Sequence, residues 1–190
     1  AADILPSNFS IDYGGESRQY AEQGSALLVT FFLALIVIYL VLAAQFESWR
    51  DPLIILVSVP MSIAGALIFM TLGLATVNIY TQVGLITLIG LISKNGILIV
   101  EFANQLQERD GLERRHAIEK AAAIRLRPIL MTTVAMIVAM VPLLLATGPG
   151  AVGRFNIGLV IATGLAIGTL FTLFVVPAVY LVLSSKHSQA

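Results

Sequence analysis

The chain contains no cysteine, so disulfides and thiolate metal sites are excluded and nothing can be read about redox compartment. Histidine is nearly absent. Its two copies, His116 and His187, lie in separate polar segments, a poor basis for a zinc site or a histidine-dependent active site. Charge is also scarce: 12% of the 190 residues are Asp, Glu, Lys or Arg, eleven of each sign, so no basic field exists to draw the chain to nucleic acid. Gly-x-Ser-x-Gly, His-Glu-x-x-His and phosphate-loop patterns are missing, and no nucleophile stands with a base. An enzyme has nothing to act with. What is abundant is hydrocarbon, with 58% apolar residues and a mean hydropathy of +0.93. That composition describes an integral membrane protein.

Four charge-free runs carry the apolar residues. Ser25 to Phe46 is 22 residues long, enough for one crossing by a helix of about 20 residues. Pro52 to Ser93 is 42 residues long, too long for one helix, and it relaxes between Thr71 and Asn78. It divides into a second span at 52–72 and a third at 79–102 that runs on through Lys94. Pro128 to Gly153, with a Gly-Pro-Gly turn at 148–150, and Phe155 to Ser185 supply spans at 128–147 and 155–183. Backbone groups in lipid must be satisfied within their own segment, and alternating strands of about ten residues are absent. The expectation is an all-α polytopic bundle of five transmembrane helices over residues 25–185.

Six basic residues, Arg109, Arg114, Arg115, Lys120, Arg125 and Arg127, lie in or beside the 103–127 loop, whereas the turns at 73–78 and 148–154 hold only Arg154. The positive-inside rule therefore places the loop, and the short tail at 186–190, in the cytoplasm and residues 1–24 outside. Within the loop, apolar and charged positions alternate at helical spacing from Leu112 onward, which predicts an interfacial helix leading into span four; a solvated connector is the plain alternative. Residues 1–24 are polar, and Phe9 to Tyr13 alternates like a short strand ending at Gly14-Gly15. They are read as the tail of a periplasmic domain.

Lys94, with Asn95 beside it, lies inside span three, roughly 10 Å in from the edge marked by Glu101. An ammonium at that depth costs a few kcal/mol on insertion scales, so it should face a partner or cavity unless its stem snorkels out. Thr132 on span four is expected at matching depth, although a hydroxyl of this kind commonly bonds back to its own helix. Gly84, Gly90 and Gly96 on span three, and the Gly164 to Gly168 small-xxx-small pattern on span five, predict close helix approach. Pro60, Pro142 and Pro177 predict kinks.

Taken together, Ala43-Ala-Gln-Phe-Glu-Ser-Trp49, Val59-Pro60, Gln82-Val-Gly-Leu-Ile-Thr87, Gly90-Leu-Ile-Ser-Lys-Asn-Gly-Ile-Leu-Ile-Val-Glu-Phe102 and Arg125-Leu-Arg-Pro-Ile-Leu-Met-Thr132 closely resemble the resistance-nodulation-division (RND) efflux transporters, in their hydrophobe/amphiphile branch. The likeness covers nearly the whole chain. In that family a permease has twelve transmembrane helices and two large periplasmic loops and works as a trimer in the bacterial inner membrane, joined to a periplasmic adaptor and an outer-membrane channel. This chain resembles helices eight to twelve. The resemblance implies proton-driven drug efflux without a cofactor or metal, with Lys94, Asn95, Thr132 and Arg125 in the proton relay. The family's relay aspartates have no counterpart here: Asp51 and Asp110 fall in loops, and Asp3 and Asp12 precede the first span. The competing reading is a self-contained five-span scaffold or assembly protein in which Lys94 only ties helices together.

Overall fold

The computed structural model describes residues 16–183, and the strand expected near Phe9 and the tail at 186–190 lie outside them. Six helices make up the fold: α1 (Glu16–Phe46), α2 (Asp51–Leu56), α3 (Ser58–Thr71), α4 (Ile79–Asp110), α5 (Arg114–Leu144) and α6 (Ala151–Leu183). Among the described residues there is no strand. With α2 and α3 taken as one crossing, five segments are long and apolar enough to span a membrane: Val29–Phe46, Asp51–Thr71, Ile79–Asp110, Arg114–Leu144 and Ala151–Leu183.

The breaks follow from local chemistry. Pro60 has no N–H to offer and its ring crowds the carbonyl four residues back, at Leu56, so the second crossing is interrupted at Val57 between α2 and α3. Pro142 and Pro177 sit inside helices that continue past them. The relaxed stretch before Asn78 ends in a reciprocal cap: Thr81 N donates to Asn78 Oδ1 at 2.9 Å and Asn78 N donates to Thr81 Oγ1 at 2.8 Å. Two otherwise orphaned donors are thus satisfied where α4 starts. At its far end α4 passes the charged residues after Asn104 and stops only at Gly111, whose φ of 62° closes the helix in the left-handed region.

The α4–α5 connection is therefore three residues long, 111–113, in place of the loop expected over 103–127. The amphipathic helix expected from Leu112 is present from Arg114, but it is the first part of α5 and not a separate element. Similarly, α1 is already helical at Glu16, ahead of the charge-free run. Charge marks where a helix leaves an apolar medium; it does not mark where the hydrogen bonding ends, because Lys, Arg, Glu and Gln are good helix formers.

Helix α6 is the centre of the bundle and packs against α3, α4 and α5, while among the described residues α1 touches only α2 and α4. The small residues of α6 make this possible. A Cβ at Gly164 would collide with Leu88 of α4, and one at Gly168 with Ser62 of α3 and Ile92 of α4. On α4, Gly84 faces Val160 and Gly96 faces Ile55, whereas a Cβ at Gly90 would meet nothing within 4 Å. Small-xxx-small contacts let backbones approach and gain dispersion energy that lipid tails would otherwise supply. Two apolar cores result, one around Ile99, Ile118 and Tyr180, the other around Leu88, Ile92 and Leu165. Large apolar side chains on α1 and α5, among them Val29, Phe32, Met131, Val134 and Val138, remain uncovered.

Candidate functional site

Lys94 lies midway along α4, on the stripe that also holds Val83, Thr87 and Gly90, all exposed, and Glu101 two turns further on. Its own side chain is half-buried, and Nζ points to Met136 Sδ of α5 at 3.9 Å. A thioether is a weak acceptor and an ammonium has three protons to place. Among the described residues no carboxylate comes within 4 Å of it; the ion pairs of Arg115 with Glu119 and of Lys120 with Asp110 are on the exposed basic end. Glu101, on the same stripe, accepts from Gln105 Nε2 at 3.5 Å.

Asn95 turns the other way, into the bundle. It is fully buried, and its Nδ2 donates to Thr169 Oγ1 of α6 at 3.2 Å. The Thr169 hydroxyl is 3.3 Å from that of Thr133 on α5, so three helices meet in one polar layer. Asn95 Oδ1 is buried without a hydrogen-bond partner. Thr132, the next residue before Thr133, is exposed, and its hydroxyl donates to Ile129 O of its own helix at 3.0 Å. Arg125 stacks its guanidinium 4.5 Å from the ring centroid of Phe102, eight residues beyond Lys94 on α4 and thus roughly 12 Å nearer the basic end. Arg125 Nε is buried without a partner. Lys94 and Asn95 thus share α4 and Thr132 and Arg125 share α5, but the four point to different surroundings and form no hydrogen-bonded chain among themselves.

A second polar cluster was not foreseen. Asp51, expected in a turn, is the first residue of α2 and is completely buried, because Pro52 and the apolar residues after it begin a helix at once and carry the carboxylate in with them. Its Oδ2 accepts from Asn104 Nδ2 at 3.0 Å, Asn104 Oδ1 accepts from the Tyr180 hydroxyl at 2.5 Å, and that hydroxyl accepts from Gln107 Nε2 at 2.5 Å. One signal was available in the sequence: Asn104 and Gln107 are three apart at the end of α4, so they share a face. A recess of about 360 Å³ between the 73–76 and 146–152 turns, lined by Leu74, Phe155 and Asn156 among others, includes no residue of either cluster.

The sequence model described as the AcrB/AcrD/AcrF family matches residues 2–184. A transporter of Haemophilus influenzae is 54% identical over 98% of this chain and 19% of its own length. The toluene efflux pump membrane transporter TtgB of Pseudomonas putida is 40% identical over 97% of the chain and 17% of its own length. For the multidrug export protein AcrF of Escherichia coli the figures are 37%, 96% and 18%. The chain thus spans less than a fifth of the length of the curated relatives it matches.

Proposed function

Because the chain belongs to the AcrB/AcrD/AcrF family of efflux transporters, we propose that it is the C-terminal membrane part of a proton-driven RND permease that exports hydrophobic or amphiphilic compounds. In this reading Lys94 is the cationic member of a proton relay, Asn95, Thr132 and Arg125 assist it, and the acids that take and release the proton lie in permease helices outside the chain. The observation that carries the reading is the Lys94 ammonium, set within a membrane span with a thioether as its one polar contact among the described residues. It lies on a stripe of α4 left uncovered, with Gly90 leaving room for a neighbour to approach.

The physics of such a site is direct. A unit charge pair 4 Å apart is worth about 4 kcal/mol at an effective dielectric constant of 20, so an ionised carboxylate entering this stripe is held firmly, and protonating it releases the ammonium. The two arrangements differ in charge pairing and can therefore bias two helix positions. Arg125, toward the basic end, keeps a second positive charge on the path to that side. We place the basic end, with the 111–113 turn, in the cytoplasm of a bacterial inner membrane, and the 72–78 and 145–150 turns on the periplasmic side. A homotrimer with a periplasmic adaptor and an outer-membrane channel completes the assembly.

The test is Lys94→Met in the full-length permease. Cells expressing it at the parental level should accumulate dye as a pump-less strain does. Parental efflux from the variant would make Lys94 a helix-packing residue and remove the reading.

A further inference from the structure

The recess between the 73–76 and 146–152 turns belongs to neither polar cluster, and one residue lining it is out of keeping with its surroundings. Nearby polar groups are used. Asn78 and Thr81 cap α4 reciprocally, and Arg154 Nη2 donates to Thr147 O at 3.3 Å and to Pro149 O at 3.0 Å, which ties down the turn that forms one wall. Asn156 is the exception: it is 2% exposed, and its Nδ2 is buried without a hydrogen-bond partner among the described residues. A buried amide left in this way is uncommon and costs free energy until an acceptor reaches it. Gln82 Oε1, at the start of α4, is a complementary acceptor near the same end and is likewise buried without a partner, so the bundle's own side chains do not close this pair.

The rest of the recess is mostly hydrocarbon. Leu74, Ala75, Ala146, Val152 and Phe155 line it, Thr76 adds a hydroxyl, and its volume of about 360 Å³ is at the small end of ligand pockets. Leu72, Leu74, Val77, Leu145 and Val152, on or beside the same two turns, are exposed. Apolar side chains scattered singly over a surface carry no message, but a group of them around a concavity with one unpaired donor has the make-up of a small-molecule site: hydrocarbon for affinity and a polar group for orientation. A carboxamide keeps its shape when turned by 180° about its last bond, so Asn156 can present its NH2 to an incoming acceptor without disturbing its neighbours. Position narrows the ligand further. The two turns close membrane crossings, where lipid-soluble molecules meet water, and no charged side chain among the described residues lines the recess. A neutral head group fits there and an ionic one does not.

We propose that this recess binds a neutral amphiphile, an apolar chain with one ester or ketone carbonyl, whose chain lies against Leu74, Val152 and Phe155 and whose carbonyl oxygen accepts from Asn156 Nδ2. Two sources carry that chemistry: a bilayer lipid brings its acyl ester, and a free lipid-soluble compound brings its own carbonyl. Either occupant covers apolar surface and pairs the amide in one step. A protein segment would offer carbonyls too, but each comes with an N–H that also needs an acceptor, which an apolar lining supplies poorly. The site is separate from Lys94 and does not depend on the relay.

The experiment is photolabelling of the full-length permease in lipid nanodiscs, with labelled residues located by mass spectrometry. The probe is methyl decanoate carrying a diazirine in mid-chain; beside it are the same chain without the ester and a phosphatidylethanolamine with the diazirine on an acyl chain. We expect the ester to label residues 73–76 and 146–156 and plain methyl decanoate to displace it. Asn156→Leu, which keeps the size and removes the donor, should weaken ester labelling about tenfold, the equivalent of about 1.4 kcal/mol for one hydrogen bond, and leave labelling by the ester-free chain unchanged. Ala146→Trp, which fills the recess, should abolish both. Labelling of the same residues by the phosphatidylethanolamine, with the same loss in Asn156→Leu, assigns the site to a membrane lipid; its failure there while the ester succeeds assigns it to a free compound. Should Asn156→Leu not accumulate, displacement in the parent and the Ala146→Trp result decide. Ester labelling that methyl decanoate does not displace, or that is equal in the parent and Asn156→Leu, would overturn the proposal. So would unlabelled turns in the parent, the recess then being filled by the permease's own periplasmic segments.

Discussion

Tyr180→Phe removes one oxygen from the centre of the cluster that ties α2, α4 and α6 together, and it changes almost nothing in shape. Tyr180 is fully buried and its hydroxyl both donates to Asn104 Oδ1 and accepts from Gln107 Nε2, each at 2.5 Å. Without it two buried polar groups lose a partner. Each such loss costs about 1–3 kcal/mol, so the variant should be less stable by roughly 2–6 kcal/mol. The assay is unfolding of the chain in detergent by added dodecyl sulfate, followed by the fluorescence of Trp49, its single tryptophan, which lies at the α1–α2 turn beside Asp51. The cost is one of stranded polar groups, not of lost contact area. Pairing Tyr180→Phe with Gln107→Met should therefore recover about half of it, because the stranded donor is gone. A loss below about 0.5 kcal/mol for Tyr180→Phe, or a double variant as unstable as the sum of the two singles, would refute the reasoning.

Three further outcomes are expected. Gly164→Leu should disrupt α6 packing and lower membrane accumulation, since even a Cβ there collides with Leu88, whereas Gly90→Ala in the isolated chain should be neutral because its Cβ meets nothing; the two are compared by the same unfolding titration. Single cysteines at Arg114 and Gly150, introduced into a chain that has none, should react with impermeant reagents from opposite sides, Gly150 from the periplasm; labelling of position 114 from the periplasm would reverse the orientation. Asp51→Leu should loosen the α1–α2 turn by leaving Asn104 Nδ2 without its acceptor, read as faster proteolysis near Trp49, and unchanged cleavage would show that the buried carboxylate is not what holds the turn.

The five apolar crossings were legible because hydrocarbon excludes charge, and the relaxed stretch after Thr71 became a turn closed by the Asn78–Thr81 cap. The Gly164 and Gly168 contacts were legible as well, since small residues four apart have little use in lipid other than close approach. Helix ends were not, because α4 and α5 run through charged residues that favour helix as strongly as the apolar ones do. The break from Pro60 fell at Val57, where the proline removes a hydrogen bond and crowds the preceding turn. Lys94 stood out by its cost in a membrane. Thr169 did not, because a single threonine in an apolar helix usually bonds to its own backbone, as Thr163 and Thr172 do, and nothing in spacing says that it meets a residue 74 positions away.

The central claim is that this chain holds the basic side of a proton relay whose acids come from elsewhere in the permease, and a split permease tests it most directly. The chain and the remaining permease segment, each reconstituted alone and then together, are given an imposed pH gradient while proton flux and dye movement are recorded in the same vesicles. Neither part alone should exceed empty vesicles, the two together should move protons and dye in a coupled way, and Lys94→Met in this chain should abolish both signals. Coupled transport by this chain alone, or by the reassembled permease carrying Lys94→Met, would contradict the account.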